Sequence, residues 1–95
     1  MTKYYETVMD ILTRSIGYTE AEILGGRGEL CADARSIMVE LLLRKYANYE
    51  VVQMTGLSRQ AVSRIAAQHR VRVKHKYSMA MVMRDVEREL NAITE

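Results

Sequence analysis

Residues 49–65, YEVVQMTGLSRQAVSRI, decide how this chain is read. Val51 and Val52 give a short helix an inward face. Gly56 supplies a tight turn where a side chain would clash or demand positive φ. Leu57 follows, placed to plug a core, and Ser58 suits the N-cap of a second helix because its hydroxyl accepts from an orphan backbone N–H. Val62 and Ile65 then fall three apart on one side, with Ala61 and Ala66 small enough for close helix approach. Arg59, Gln60, Ser63, Arg64 and Gln68 point the other way. Two short helices packed steeply across such a turn make a helix-turn-helix, and the spacing predicts the second helix over residues 58–69.

The outward side chains are of the types that read duplex DNA. Arginine pairs bidentately with guanine, glutamine with adenine, and serine serves bases or phosphates. A helix N-terminus also attracts a phosphate through its free N–H groups. An ordinary helical hairpin with solvated Arg and Gln fits the same geometry, so the distribution of charge carries weight. Residues 1–50 hold six bases and eight acids, and residues 85–95 hold Arg88 against four acids. Residues 51–84 hold Arg59, Arg64, Arg70, Arg72, Lys74, Lys76 and Arg84 and not one carboxylate. The net charge of +2 therefore conceals a +7 block, the footprint of a polyanion partner rather than a merely solvated basic face.

The rest of the chain reads as helix. It has no proline and five glycines in 95 residues, enough for one domain with a single core. Tyr4, Val8, Ile11, Leu12 and Ile16 recur at helical spacing ahead of Gly17, a C-cap candidate. Thr19 can cap a short helix that reaches Leu24. Residues 30–46 are the most apolar helix candidate, and their arc of Ala34, Ile37, Met38, Leu41 and Leu42 is too wide for a surface helix, so this is the expected central element. Residues 70–76 alternate base and apolar residue. With no strand partner in view they are expected to be an extended or frayed basic connector. A last helix is expected over residues 77–93. The fold class is thus all-α, a small bundle of five to six helices containing a helix-turn-helix.

Taken together, these segments resemble the C-terminal DNA-binding domain of the bacterial replication initiator DnaA, a relative of the Trp repressor fold. Residues 8–24 resemble its first helix and the short helix ending in Leu-Gly. Ala34-Arg35 resemble the entry to its central helix, residues 49–69 its helix-turn-helix, and residues 77–93 its terminal helix. That family opens its recognition helix with Asp-His-Thr-Thr, whereas Ser58, Arg59, Gln60 and Ala61 stand here. The family's basic loop is reduced to Arg27 beside Glu29. The resemblance thus implies the architecture but not the cognate sequence. It does not extend to an ATPase domain, so initiator activity is not implied. What it implies is a transcriptional regulator or a replication or mobile-element accessory protein.

The expected site follows. Arg59, Gln60, Ser63 and Arg64 contact base edges. Ser58, Arg27, Tyr49, Gln68, Arg70, Arg72, Lys74 and Lys76 contact the backbone. No cofactor or metal is expected, since His69, His75 and the distant Cys31 lack a fourth ligand and the usual spacing. Catalysis has little support: the six tyrosines have no Arg-His cluster beside them, and Gly25-Gly26-Arg27-Gly28 lacks the Lys-Ser/Thr of a phosphate loop. Acids at the N-terminus and the absence of a long apolar run point to a cytoplasmic protein with no membrane partner. The lone Cys31 is expected to be a buried thiol. Met79, Met81 and Met83 offer an alternative, an interaction module that docks a protein through the last helix. A homodimer formed through the first or last helix would let two copies read half-sites about one DNA turn apart.

Overall fold

The computed structural model describes residues 3–75 and 77–94. All regular structure among them is helical: α1 (Lys3–Ile16), α2 (Glu20–Gly25), α3 (Glu29–Leu43), α4 (Asn48–Thr55), α5 (Arg59–His75) and α6 (Tyr77–Thr94). Helix α3 is the central element, as its wide apolar arc predicts. Ala34, Ile37, Met38, Val39, Leu41 and Leu42 are all buried on it, and it packs against α1, α2, α4 and α5. Around it close Val8, Ile11 and Leu12 of α1, Ile23 of α2, Val51 of α4, Val62 of α5, and Val86 and Leu90 of α6. Cys31 is a buried free thiol.

Local chemistry sets the helix ends. Gly17 takes φ +84°, and its N–H closes α1 by donating to Thr13 O at 2.9 Å. The hydroxyl of Thr19 accepts from Glu22 N–H while the Glu22 carboxylate accepts from Thr19 N–H, a reciprocal capping box that starts α2. Helix α3 stops at Leu43, three residues short of the expected end. There the chain turns, with Lys45 N–H and Tyr46 N–H both donating to Leu42 O. The turn is held by tertiary contacts. The Tyr46 ring packs edge-on against Tyr4 at 5.9 Å between centroids, and Lys45 Nζ lies 4.4 Å from the Tyr4 ring centroid.

One expectation is overturned. Residues 70–75 are not an extended connector but the last turns of α5, which runs unbroken for 17 residues. Two causes act together. Nothing in residues 59–75 breaks a helix, for there is no Gly or Pro. Tertiary anchors also hold the segment down: His69 is buried, and Arg72 pairs with Asp33 of α3 at 2.8 Å. Alternation of base and apolar residue was a weaker signal than the absence of a strand to pair with.

Candidate nucleic-acid interface

The candidate surface is built on α4, the turn after it, and α5. Helix α4 starts where the Glu50 carboxylate accepts from Ala47 N–H at 2.9 Å. It ends at Gly56, which sits in the left-handed region at φ +74° and donates its N–H to Val52 O. Thr55, buried beside it, donates its hydroxyl to Val51 O and accepts from Leu57 N–H, so both sides of the turn are tied. Ser58 Oγ accepts from Ala61 N–H at 3.0 Å, the N-cap bond expected of it.

Helix α5 then turns Val62 fully inward, with Ile65 and Ala66 half-buried beside it. Arg59, Gln60, Ser63, Arg64, Ala67, Gln68 and Val71 are exposed. With 3.6 residues per turn these divide into three rows. Arg59 and Ser63 run along the edge nearer α4, where Asn48 Nδ2 donates to Ser63 Oγ at 3.2 Å. Gln60, Ala67 and Val71 run down the middle. Arg64, Gln68 and Arg72 run along the edge facing α3, one turn apart.

The structure thus brings Ser58, Arg59, Gln60, Ser63, Arg64 and Gln68 together on one helix. Tyr49, 68% exposed, stands one residue beyond Asn48 in the first turn of α4. Arg27 is exposed on the loop between α2 and α3. Arg72 is different: it is half-buried and its guanidinium donates to Asp33 Oδ1. Lys76 and the side chains of Arg70 and Lys74 lie outside the described residues.

Three features escaped the sequence reading. Arg35, placed only as a helix entry, donates through Nε to Ile23 O and through Nη2 to Gly26 O, fastening α2 and the loop after it to α3. His69 is buried with Nδ1 2.6 Å from Ser36 Oγ, so it is a core residue joining α5 to α3. Val71 joins the exposed face only because α5 continues past His69. The partners in the first two cases stand 12, 9 and 33 residues away, beyond any local spacing rule.

Charge is arranged unevenly. Arg14 pairs with Asp10 and Glu89, Arg44 with Glu40 and Glu87, and Arg88 with Asp85. Neither Arg59 nor Arg64 has a carboxylate partner among the described residues. Of the methionines that open α6, Met79 (2% exposed) and Met83 (5%) belong to the core, and only Met81 (44%) reaches the surface. Among the described residues no group of His, Cys, Asp and Glu is placed to hold a metal ion, and no helix is long and apolar enough to cross a membrane. Comparison with known protein families, curated proteins and solved structures found no match to this chain.

Proposed function

We propose that α4 and α5 act as a helix-turn-helix, with α5 the recognition helix of a sequence-specific binder of double-stranded DNA. The observation that carries this reading is the exposed face of α5. It presents Arg59, Gln60, Ser63, Arg64 and Gln68 without a carboxylate, and Arg59 and Arg64 have no carboxylate partner among the described residues, whereas Arg14, Arg44 and Arg88 each pair with one. Unpaired guanidinium groups on a rigid helix keep their donors for a partner, and base edges and phosphates accept from that fork. The glycine turn and the Ser58 cap support the same assignment, since both serve to start α5 at a set angle to α4.

In this reading Arg59, Gln60 and Ser63 enter the major groove, while Ser58, Tyr49 and Arg27 meet the flanking backbone. The basic residues Arg70, Arg72 and Lys74, in the last turns of α5, and Lys76 after them in the sequence add salt-sensitive affinity. The role is that of a DNA-binding regulator, or of an accessory protein in replication or element mobility, as the resemblance to the DnaA domain implies. Docking of a protein partner through α6 draws less support, because Met79 and Met83 are committed to the core.

Fluorescence-anisotropy titration against mixed-sequence duplexes, at low and at physiological salt, tests the reading. The expected result is binding that weakens steeply with salt, toward a Kd of ~10⁻⁴–10⁻⁶ M on random sequence. A selected duplex should then bind more tightly, and Arg59→Ala with Gln60→Ala should erase that preference. A folded protein that binds no duplex at low salt would refute the proposal.

A further inference from the structure

Between α3 and α5 lies a cleft of about 250 Å³. Its walls carry Arg35 from α3 and Arg64, Gln68 and Arg72 from α5, over a small floor that includes Ala32 and Ser36. Among the described residues no carboxylate lines it. Asp33 stands at its edge, engaged with Arg72. Three guanidinium groups gathered round one space repel one another, a cost that an anion placed between them removes.

The three are not equally committed. Arg35 is held by Ile23 O and Gly26 O. Arg72 is held through one nitrogen by Asp33. A guanidinium has five N–H donors, so both keep some to spare. Arg64 has no carboxylate partner among the described residues. Gln68, midway between Arg64 and Arg72, adds a carboxamide that can donate N–H bonds. Ser36 contributes little, since its hydroxyl faces His69. The result is a set of fixed and swinging cations facing one cleft, the arrangement that takes a tetrahedral oxyanion bidentately.

We propose that this cleft binds a phosphoryl group, and that Arg64 is a phosphate ligand and not a reader of bases. The placement within α5 agrees with this. Arg64, Gln68 and Arg72 occupy the edge toward α3, whereas Arg59, Gln60 and Ser63 occupy the centre and the α4 edge. A helix seated in the major groove has a phosphate strand along each side. The α3 edge therefore faces one strand while the middle faces the bases. A backbone phosphodiester of bound DNA fills the cleft, and this much rests on the DNA reading. The same cleft chemistry would accept a free phosphate.

Two measurements on the whole chain test it, with Arg64→Gln and Gln68→Glu as variants at exposed positions that leave the core untouched. The first is thermal melting with inorganic phosphate against chloride at equal ionic strength. A ligand bound only by the folded state raises Tm with concentration, and the rise is expected in the parent and lost in both variants. The second is duplex binding as a function of salt. Arg64→Gln is expected to weaken a selected and a mixed-sequence duplex by the same factor and to flatten the salt slope by about one unit.

The arms separate the sources. A phosphate-dependent rise without any duplex effect keeps the cleft and makes its ligand a free phosphate. A flattened slope with preference intact keeps the cleft as a DNA phosphate site. If the parent binds no duplex yet shows the phosphate rise, the cleft stands while the DNA reading falls. Absence of both effects overturns the cleft, and so does loss of sequence preference in Arg64→Gln, with DNA binding by the parent untouched in either case.

Discussion

Ser36 of α3 and His69 of α5 meet inside the protein, with Oγ and Nδ1 2.6 Å apart and both residues buried. This bond lies at the junction of the central helix with the helix that carries the candidate interface. Burial lowers the His69 pKa below the ordinary imidazole range; Glu40 and Glu87 oppose the shift and Arg44 adds to it. A base with a lowered native pKa takes up its proton more readily when unfolded. Its contribution to stability is therefore whole above the unfolded pKa of about 6.5 and is lost as pH falls from there through the lower native value. Melting curves between pH 7.5 and 5, values chosen to bracket that pKa at about 6.5, should show Tm falling with acid. His69→Gln should show a smaller fall. Parallel curves would mean that His69 titrates alike in both states.

Ser36→Ala tests the same junction from the other side. It deletes one partner and leaves a buried ring nitrogen without its bond, at a cost of about 1–3 kcal/mol. Urea denaturation at neutral pH measures it. A loss near zero would mean that the imidazole finds another partner.

The length of α5 makes a second kind of prediction. Val71 is exposed, yet it lies inside a helix that continues to His75. Proline there removes a helix hydrogen bond and clashes with the preceding turn, at about 3 kcal/mol or more. Val71→Pro should therefore lower Tm sharply and reduce far-UV helicity, while Val71→Ala should be close to neutral. An extended connector would tolerate the proline, so a stable Val71→Pro protein would restore that picture.

Gly56 is the position where the turn depends on a residue type. Its φ of +74° is in the left-handed region, and a methyl group added there would meet nothing within 4 Å. The cost of Gly56→Ala is therefore conformational alone, about 1–2 kcal/mol. Gly56→Asn should cost less, because asparagine visits that region more readily. Equal losses for the two would point to a crowded site instead.

These cases show why some parts were legible in the sequence and others were not. Helix α1 falls on the expected residues, and Gly17, Gly56, Thr19 and Ser58 take the turn and cap roles expected of them, because each acts on neighbours within four residues. The early end of α3 had no such mark; it depends on Tyr46 and Lys45 reaching Tyr4, across some forty residues of chain. The acid-free block and the outward row of α5 were likewise readable from charge and helical period. What could not be read is which arginines are already engaged. Arg72 finds Asp33 from 39 residues away, and Arg35 gives two of its donors to carbonyls of α2 and of the loop after it. Spacing says which way a side chain points on its own helix, and nothing about what another helix brings to meet it.

The Arg72–Asp33 pair gives the last prediction. Arg72 lies on the α3 edge of α5, and 30% of its side chain is exposed against 13% for Asp33. Asp33 therefore sets a carboxylate beside the phosphate path and occupies one of the guanidinium nitrogens. Asp33→Asn removes that charge and releases Arg72 for a phosphate. Both side chains are mostly covered, so weakening this charge-assisted bond costs about 1.5–3 kcal/mol, and binding is measured below the variant's own melting transition. Its affinity for duplex DNA should rise several-fold at low salt, equally on selected and mixed sequences, with the salt slope steeper by about one unit. Arg72→Gln in the same background should return both to the parent's values. Unchanged affinity in Asp33→Asn would mean that Arg72 serves only to pin α5 against α3, and that the phosphate-facing edge ends at Gln68.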